Sequence, residues 1–172
     1  MIKIPLVGKF KGKYALVDDC DDWVLKLRWT GWKDRTGNIY AIVSSRKEGL
    51  HSQRLHRLIL GLKKGDSEVD HIDGDGLNNL RSNLRLATKS QNGMNMRKRK
   101  GTSKYKGVCW YKPYKKWRTQ IMKDYRQMHI GYYISEIDAA KAYDKKAKEL
   151  FGKYVRLNFL NNDRGINKYA KT

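Results

Sequence analysis

A chain of 172 residues with 40% hydrophobic content suits one ordinary domain or two or three very small ones, each with a modest core. Its 38 Lys and Arg against 17 Asp and Glu give a formal charge of +21, far more than solubility asks for, so a polyanionic partner is expected, with nucleic acid favoured over an acidic membrane surface. No apolar run is long enough to span a bilayer and none has the form of a signal peptide, which predicts an intracellular, cytoplasmic protein with no membrane attachment; Cys20 and Cys109 form no CxxC pair or Cys/His cluster and read as free thiols rather than zinc ligands.

The elements predict an α+β protein. Residues 1–50 form a small β-rich region, in which residues 13–17 and 38–45 are strand-like and an acidic stretch, 18–22, precedes a helical turn at 23–27. Trp23, Trp29 and Trp32 are expected to be packing residues. Residues 54–60 are a short apolar helix ended by Gly61. It carries His56, a buried histidine with a structural or accessory role, and Arg54 and Arg57, which either touch phosphate or are surface charge.

Polar residues then gather in VDHIDGDGLNNLRSNLRLATKSQNGMN. Asp70 and His71 follow a short strand signal at 68–69, and Asn83 lies twelve residues after the histidine. Residues 84–87 read as a second strand. Thr88 with Gln91 is a capping-box pattern that opens a helix and puts Asn92 in its first turns. Strand, loop, strand and helix within about thirty residues bring all four polar side chains around one pocket. A calcium loop in DHIDGDG is excluded, because Leu77 stands two residues after Asp75 and no Glu closes the loop.

In order, spacing and local structure, residues 56–95 resemble the HNH nucleases, and specifically the phage- and intron-type homing endonucleases; the run LHRLILG and the loop of Asp73, Gly74, Asp75 and Gly76 with Asn78 and Asn79 add to the likeness. The resemblance implies a ββα-metal core over residues 51–96 that cuts double-stranded DNA to leave a 5′-phosphate and a 3′-hydroxyl. His71 is then the general base, since imidazole is largely neutral near pH 7. Asn83 accepts a hydrogen bond from one of its ring nitrogens. Asp70 and Asn92 hold a single Mg²⁺ or Mn²⁺ through oxygen atoms, with water and phosphate completing the shell.

Charge is unevenly spread: residues 1–96 hold 17 basic and 11 acidic side chains, whereas residues 97–172 hold 21 and 6. The change begins at Arg97, Lys98, Arg99 and Lys100, the start of a basic linker over 97–103 that tracks DNA. Beyond it, residues 107–111, 117–123 and 128–133 are three strands, and a helix capped by Ser135 with Asp138 runs to Phe151 and Gly152. Residues 104–160 resemble the plant Apetala/ethylene-response-factor DNA-binding domain through Tyr105-Lys106-Gly107-Val108, Trp117, Ile121, Ile130-Gly131, Tyr133, the Ala139–Asp144 run and Asn158-Phe159. That likeness implies a three-stranded antiparallel sheet packed on one helix, with its outer face in the major groove. Strand alternation turns Trp117, Thr119 and Ile121 inward and Arg118, Gln120, Met122, Gln127 and His129 toward DNA, with Lys106, Tyr111, Lys112 and Lys116 beside them. Residues 161–172 are a polar tail. The reading is a monomeric, modular homing endonuclease that probes duplex DNA with its C-terminal domain and nicks one strand per encounter. A DNA-binding regulator with a vestigial nuclease fold, and a nonspecific nuclease, are the alternatives.

Overall fold

Alternating burial organises the N-terminal strands of this computed structural model, which describes residues 1–45, 49–98, 100–124 and 126–159. In β1 (Ile2–Pro5), Ile4 is buried between exposed Lys3 and Pro5; in its antiparallel partner β2 (Tyr14–Val17), Ala15 and Val17 are buried and Tyr14 is exposed. The helical turn expected at 23–27 belongs to a longer 3-10 segment, Asp19–Lys26, kinked at Asp21. Three antiparallel strands follow, β3 (Trp29–Lys33), β4 (Ile39–Ser45) and β5 (Leu50–Arg54), in that spatial order. Chain direction then changes through α1 (Leu55–Ile59), which ends before Gly61 at a positive φ of 64°. The strands β6 (Glu68–His71) and β7 (Leu84–Ala87) pair antiparallel, and α2 (Lys89–Asn95) follows.

One core serves the elements from β1 to β7. Ile4, Val17, Val24, Trp29, Val43, Leu55, Val69 and Leu84 belong to the same buried cluster, which therefore runs from β1 to β7. Of the three tryptophans expected to pack, Trp29 alone is fully buried, its indole N–H donating to the Val24 carbonyl at 2.9 Å, whereas Trp23 and Trp32 are 40% and 41% exposed. Trp29 and Trp32 are three residues apart on one strand, and an odd separation sends them to opposite faces of the sheet.

The chain divides into two compact units, Met1–Asn95 and Met96–Thr172. In the second, β8 (Val108–Tyr111), β9 (Lys116–Lys123) and β10 (Arg126–Tyr133) form an antiparallel sheet in the order β10-β9-β8. Tyr111 pairs with Lys116 across a 3-10 turn that Lys115 leaves at a φ of 48°. The helix α3 (Glu136–Phe151) has Ser135 as its N-cap, the hydroxyl accepting from the Asp138 N–H at 3.3 Å, and Gly152 as its C-cap. Small residues let it lie close on the sheet: Ala139, Ala140 and Ala147 are fully buried, and the Thr119 hydroxyl on β9 donates to the Ala139 carbonyl at 3.1 Å. Ile137, assigned to the apolar face by helical spacing, is 48% exposed near the start of the helix. Arg99 and the tail at 161–172 lie outside the described residues.

Candidate active site

The antiparallel register of β6 and β7 sets Asp70 opposite Arg85 and His71 opposite Leu84. Asp70 and Arg85 form an ion pair at 2.5 Å, with a second bond from Arg85 Nε to the same carboxylate oxygen at 2.8 Å. The other oxygen of Asp70 accepts from Asn95 Nδ2 at 2.9 Å, and that amide also donates to the His71 carbonyl at 2.7 Å. Asn92, one turn earlier on α2, donates to Glu68 Oε2 at 3.1 Å. Residues three apart on a helix share a face, so α2 turns both asparagines toward β6. The helix starts as its sequence indicates: Thr88 and Gln91 exchange reciprocal bonds, backbone N–H to side-chain oxygen, at 2.8 and 3.2 Å.

The partner of His71 differs from the expected one. Its Nε2 lies 3.3 Å from Oδ1 of Asn79, a fully buried residue, and not against Asn83. Asn83 organises the loop instead: its Oδ1 accepts from the Asp73 N–H at 3.1 Å, and its Nδ2 donates to Asp73 Oδ1 at 3.0 Å and to the Asn78 carbonyl at 2.8 Å. The cause is backbone placement. β2 grips the far end of the loop, the Leu16 N–H donating to the Leu77 carbonyl and the Asn79 N–H to the Leu16 carbonyl, both at 2.8 Å, and this turns the Asn79 side chain inward. Asn79 Nδ2 donates to the Leu77 carbonyl at 3.0 Å, so its oxygen faces the imidazole, Nε2 carries the proton, and Nδ1 keeps its lone pair.

The acidic stretch at 18–22 has a second role that spacing alone did not reveal. Asp18 accepts from the Arg81 backbone N–H at 2.7 Å, and the buried Asp21 carboxylate takes the Arg81 guanidinium at 2.7 and 3.0 Å. The second half of the loop between β6 and β7 is thus tied twice to the N-terminal elements, through Leu77 and Asn79 to β2 and through Arg81 to the acidic stretch.

His71 sits in an aromatic setting. The rings of His56 and Tyr40 meet it edge-on, with centroids 5.0 and 5.8 Å away. Burial pushes the His71 pKa below the usual histidine range, against an opposing effect of the Asn79 bond and nearby carboxylates. Burial, followed by the charges of His71, Arg54 and Arg57, pulls His56 down to about 2. Both imidazoles are therefore neutral near pH 7.

A neutral imidazole held by an asparagine beside a carboxylate and two helix asparagines is the setting of a hydrolytic base, and comparison with known proteins gives it a family. Residues 53–94 match the family model described as HNH endonuclease. Over 163 residues the chain is 31% identical to an uncharacterized HNH endonuclease of Acanthamoeba polyphaga mimivirus, covering 92% of this chain and 81% of that protein. The chain belongs to the HNH endonucleases. It is also similar to Protein 3.8 of Escherichia phage T7, at 34% identity over 89 residues, covering 51% of this chain and 73% of that one. No solved structure matches.

For an HNH endonuclease the substrate is DNA, and members of the family generally use a divalent metal ion. Among the described residues no group of three or more His, Cys, Asp or Glu side chains is placed to hold a metal ion. The Asp70 carboxylate and the Asn92 amide are hard oxygen donors, a set that suits an ion whose remaining positions go to water and phosphate. Arg85 shares the Asp70 carboxylate and is the group such an ion has to contend with.

The C-terminal unit of this HNH endonuclease presents an aromatic and basic face. Arg118 lies over the Tyr111 ring at 5.1 Å, and Tyr132 contacts Tyr111, Tyr114 and His129 with centroids 5.4, 4.8 and 4.6 Å apart. Strict alternation would part His129 from Tyr132. A bulge between His129 and Gly131 shifts the register and brings them together. Met122, Gln127, Lys112 and Lys116 are exposed and Gln120 is half-buried. Away from these, Lys98, Lys104, Lys106 and Arg156 line a cleft of about 250 Å³. No helix among the described residues is long and apolar enough to cross a membrane.

Proposed function

We propose that this HNH endonuclease is of the homing type, hydrolysing one strand of duplex DNA per encounter, with Met1–Asn95 carrying the cutting site and Met96–Thr172 a DNA-binding domain of the Apetala/ethylene-response-factor kind. The observation that carries the reading is the His71–Asn79 contact beside Asp70, which leaves a neutral, oriented imidazole with Nδ1 available. Nδ1 removes a proton from a water whose oxygen attacks phosphorus. The P–O3′ bond then breaks, leaving a 5′-phosphate and, after protonation, a 3′-hydroxyl. Asp70 and Asn92 would hold one Mg²⁺ or Mn²⁺, which supplies charge neutralisation at the phosphate and help for the leaving oxygen. Asn95 fixes the Asp70 carboxylate and the His71 backbone together.

The cutting site reads little more than a phosphate, so recognition falls to the second unit. Its three-stranded sheet, the clustered tyrosines and Arg118 support major-groove docking, with Lys and Arg contacts to phosphate adding affinity and Gln120, Met122, Gln127 and His129 facing bases. The basic residues at 97–100 extend these contacts along the backbone. Tethering raises the local concentration of the nuclease at its target.

The test is cleavage of supercoiled plasmid and phage DNA with Mg²⁺, Mn²⁺ or EDTA, beside the His71→Ala variant. Metal-dependent nicks that the variant loses while still binding DNA are the expected result. Tight binding without cutting would favour the vestigial-regulator reading, for which the occupation of Asp70 by Arg85 already speaks. Linear product accumulating without a nicked form would overturn single-strand cutting.

A further inference from the structure

Three arginines near the site have evident structural partners. Arg57 donates to the Lys63 and Ser67 carbonyls, Arg81 to Asp21, and Arg85 to Asp70. Arg54 is different. It ends β5, two residues before His56, is exposed, and among the described residues no ion pair joins it to a carboxylate.

Sheet register explains what holds it. Trp32 pairs with Tyr40, and Ile42 with Arg54, so Trp32, Tyr40 and Arg54 are cross-strand and diagonal neighbours on one face. The Trp32 and Tyr40 rings lie 6.0 Å apart, and the Arg54 guanidinium carbon stands 5.0 Å from the first centroid and 5.6 Å from the second. Stacking engages the flat face of a guanidinium and leaves its N–H edges for acceptors in its plane.

The same platform abuts the catalytic histidine. Tyr40 sets its ring against both His56 and His71, at 5.9 and 5.8 Å. It is also pinned from the loop side: a Cβ at Gly76 would come within 2.7 Å of the Tyr40 ring and 2.5 Å of the Ile39 carbonyl. Arg54, Tyr40, His71 and the loop carrying Asp73 and Asp75 are therefore one packed cluster within Met1–Asn95. An exposed guanidinium resting on two rings offers a planar fork of N–H donors, the geometry that takes a phosphate bidentately.

We infer that Arg54, held edge-outward by Trp32 and Tyr40, binds a phosphate of the DNA strand being cut, beside His71. The inference rests on the nuclease reading of this site, and it gives the N-terminal sheet a part in substrate binding as well as in support.

The experiment uses full-length protein carrying Arg54→Ala, Arg54→Lys or Trp32→Leu, each checked for an unchanged melting transition, and reads two quantities. The first is nicking of supercoiled plasmid. Arg54→Ala is expected to lower kcat/KM by about a hundredfold. Arg54→Lys keeps the charge but loses the fork and the stacking and restores little, whereas added guanidinium partly rescues Arg54→Ala. The second is the salt dependence of duplex binding in the His71→Ala background, where adding Arg54→Ala is expected to reduce the slope of log K against log salt by about one. Because binding needs no cleavage, a wild type that never cuts would sink the nuclease reading while the slope still decides on Arg54. Wild-type nicking by Arg54→Ala, full restoration by Arg54→Lys, or an unchanged slope would overturn the inference.

Discussion

Asn79 shows how one side chain can set the chemistry of another. Its amide is oriented by the Leu77 carbonyl, and its oxygen fixes the tautomer of His71. Replacing Asn79 by Ala is expected to lower cleavage by about 10- to 100-fold with little change in DNA affinity, whereas Asn79→Asp, which keeps the acceptor, retains more activity; nicking rates and gel shifts on the same preparations check this. Sequence alone assigned this task to Asn83, because the twelve-residue interval from His71 is visible and the inward turn of Asn79 is not. Asn78 and Asn79 are adjacent and chemically identical, and only the strand β2, more than sixty residues earlier, decides which of the two faces the imidazole. On α2, Asn92 donates to Glu68 and it is Asn95 that donates to Asp70; Asn95 escaped notice because asparagine is common near helix ends and carries no signal of its own.

At the scale of elements, the clamp between Asp21 and Arg81 joins the N-terminal 3-10 segment to the loop before β7. Asp21 is fully buried and Arg81 half-exposed, so removing the carboxylate frees a guanidinium that water can still reach. Asp21→Ala is expected to cost about 2 kcal/mol, seen as a lower urea midpoint by far-UV circular dichroism, and to weaken cleavage by loosening the loop. In the C-terminal unit, the Lys106 backbone is tied to Asn158, which is tied in turn to Asp144. Burial, with the Arg156 charge alongside, pulls the Lys106 ammonium down to about 8. Above that pH the unfolded chain holds a proton that the folded one has released, so stability rises from about pH 8 toward the unfolded lysine value. Tyr143 acts in the opposite sense: burial raises its pKa, so near pH 10 the unfolded chain loses a proton that the folded one keeps, and stability falls. Melting temperatures between pH 7.5 and 10 should climb and then turn over, and Lys106→Met should flatten the climb.

At the scale of the molecule, charge and modularity dominate. With +21 overall and the excess concentrated after residue 96, duplex binding is expected to fall by about a thousandfold between 50 and 200 mM salt, as for a protein that neutralises several phosphates. Filter binding across that range measures it, and a flat response would mean that the basic surface does not meet DNA. Neutralising Lys112 and Lys116 should weaken binding to all sequences alike, while changing Gln120 or His129 should alter preference among them.

Much of this protein is written locally. Strand alternation, the reciprocal Thr88–Gln91 cap, the Ser135 cap and Gly152 mark where β7, α2 and α3 begin or end, because each depends on residues within a few positions of one another. The match to the HNH family model is equally local, spanning residues 53–94, although the similarity to the mimivirus HNH endonuclease runs over 163 residues; the charge needs no structure at all. Three things needed the tertiary structure. Asn79 became the partner of His71 through the edge of β2, the acidic stretch became a clamp through Arg81, and Arg54 became a poised cation through Trp32 and Tyr40. Each joins residues brought together by sheet register or by a shared core, and such contacts leave no spacing in the sequence because the chain between them is free to vary in length.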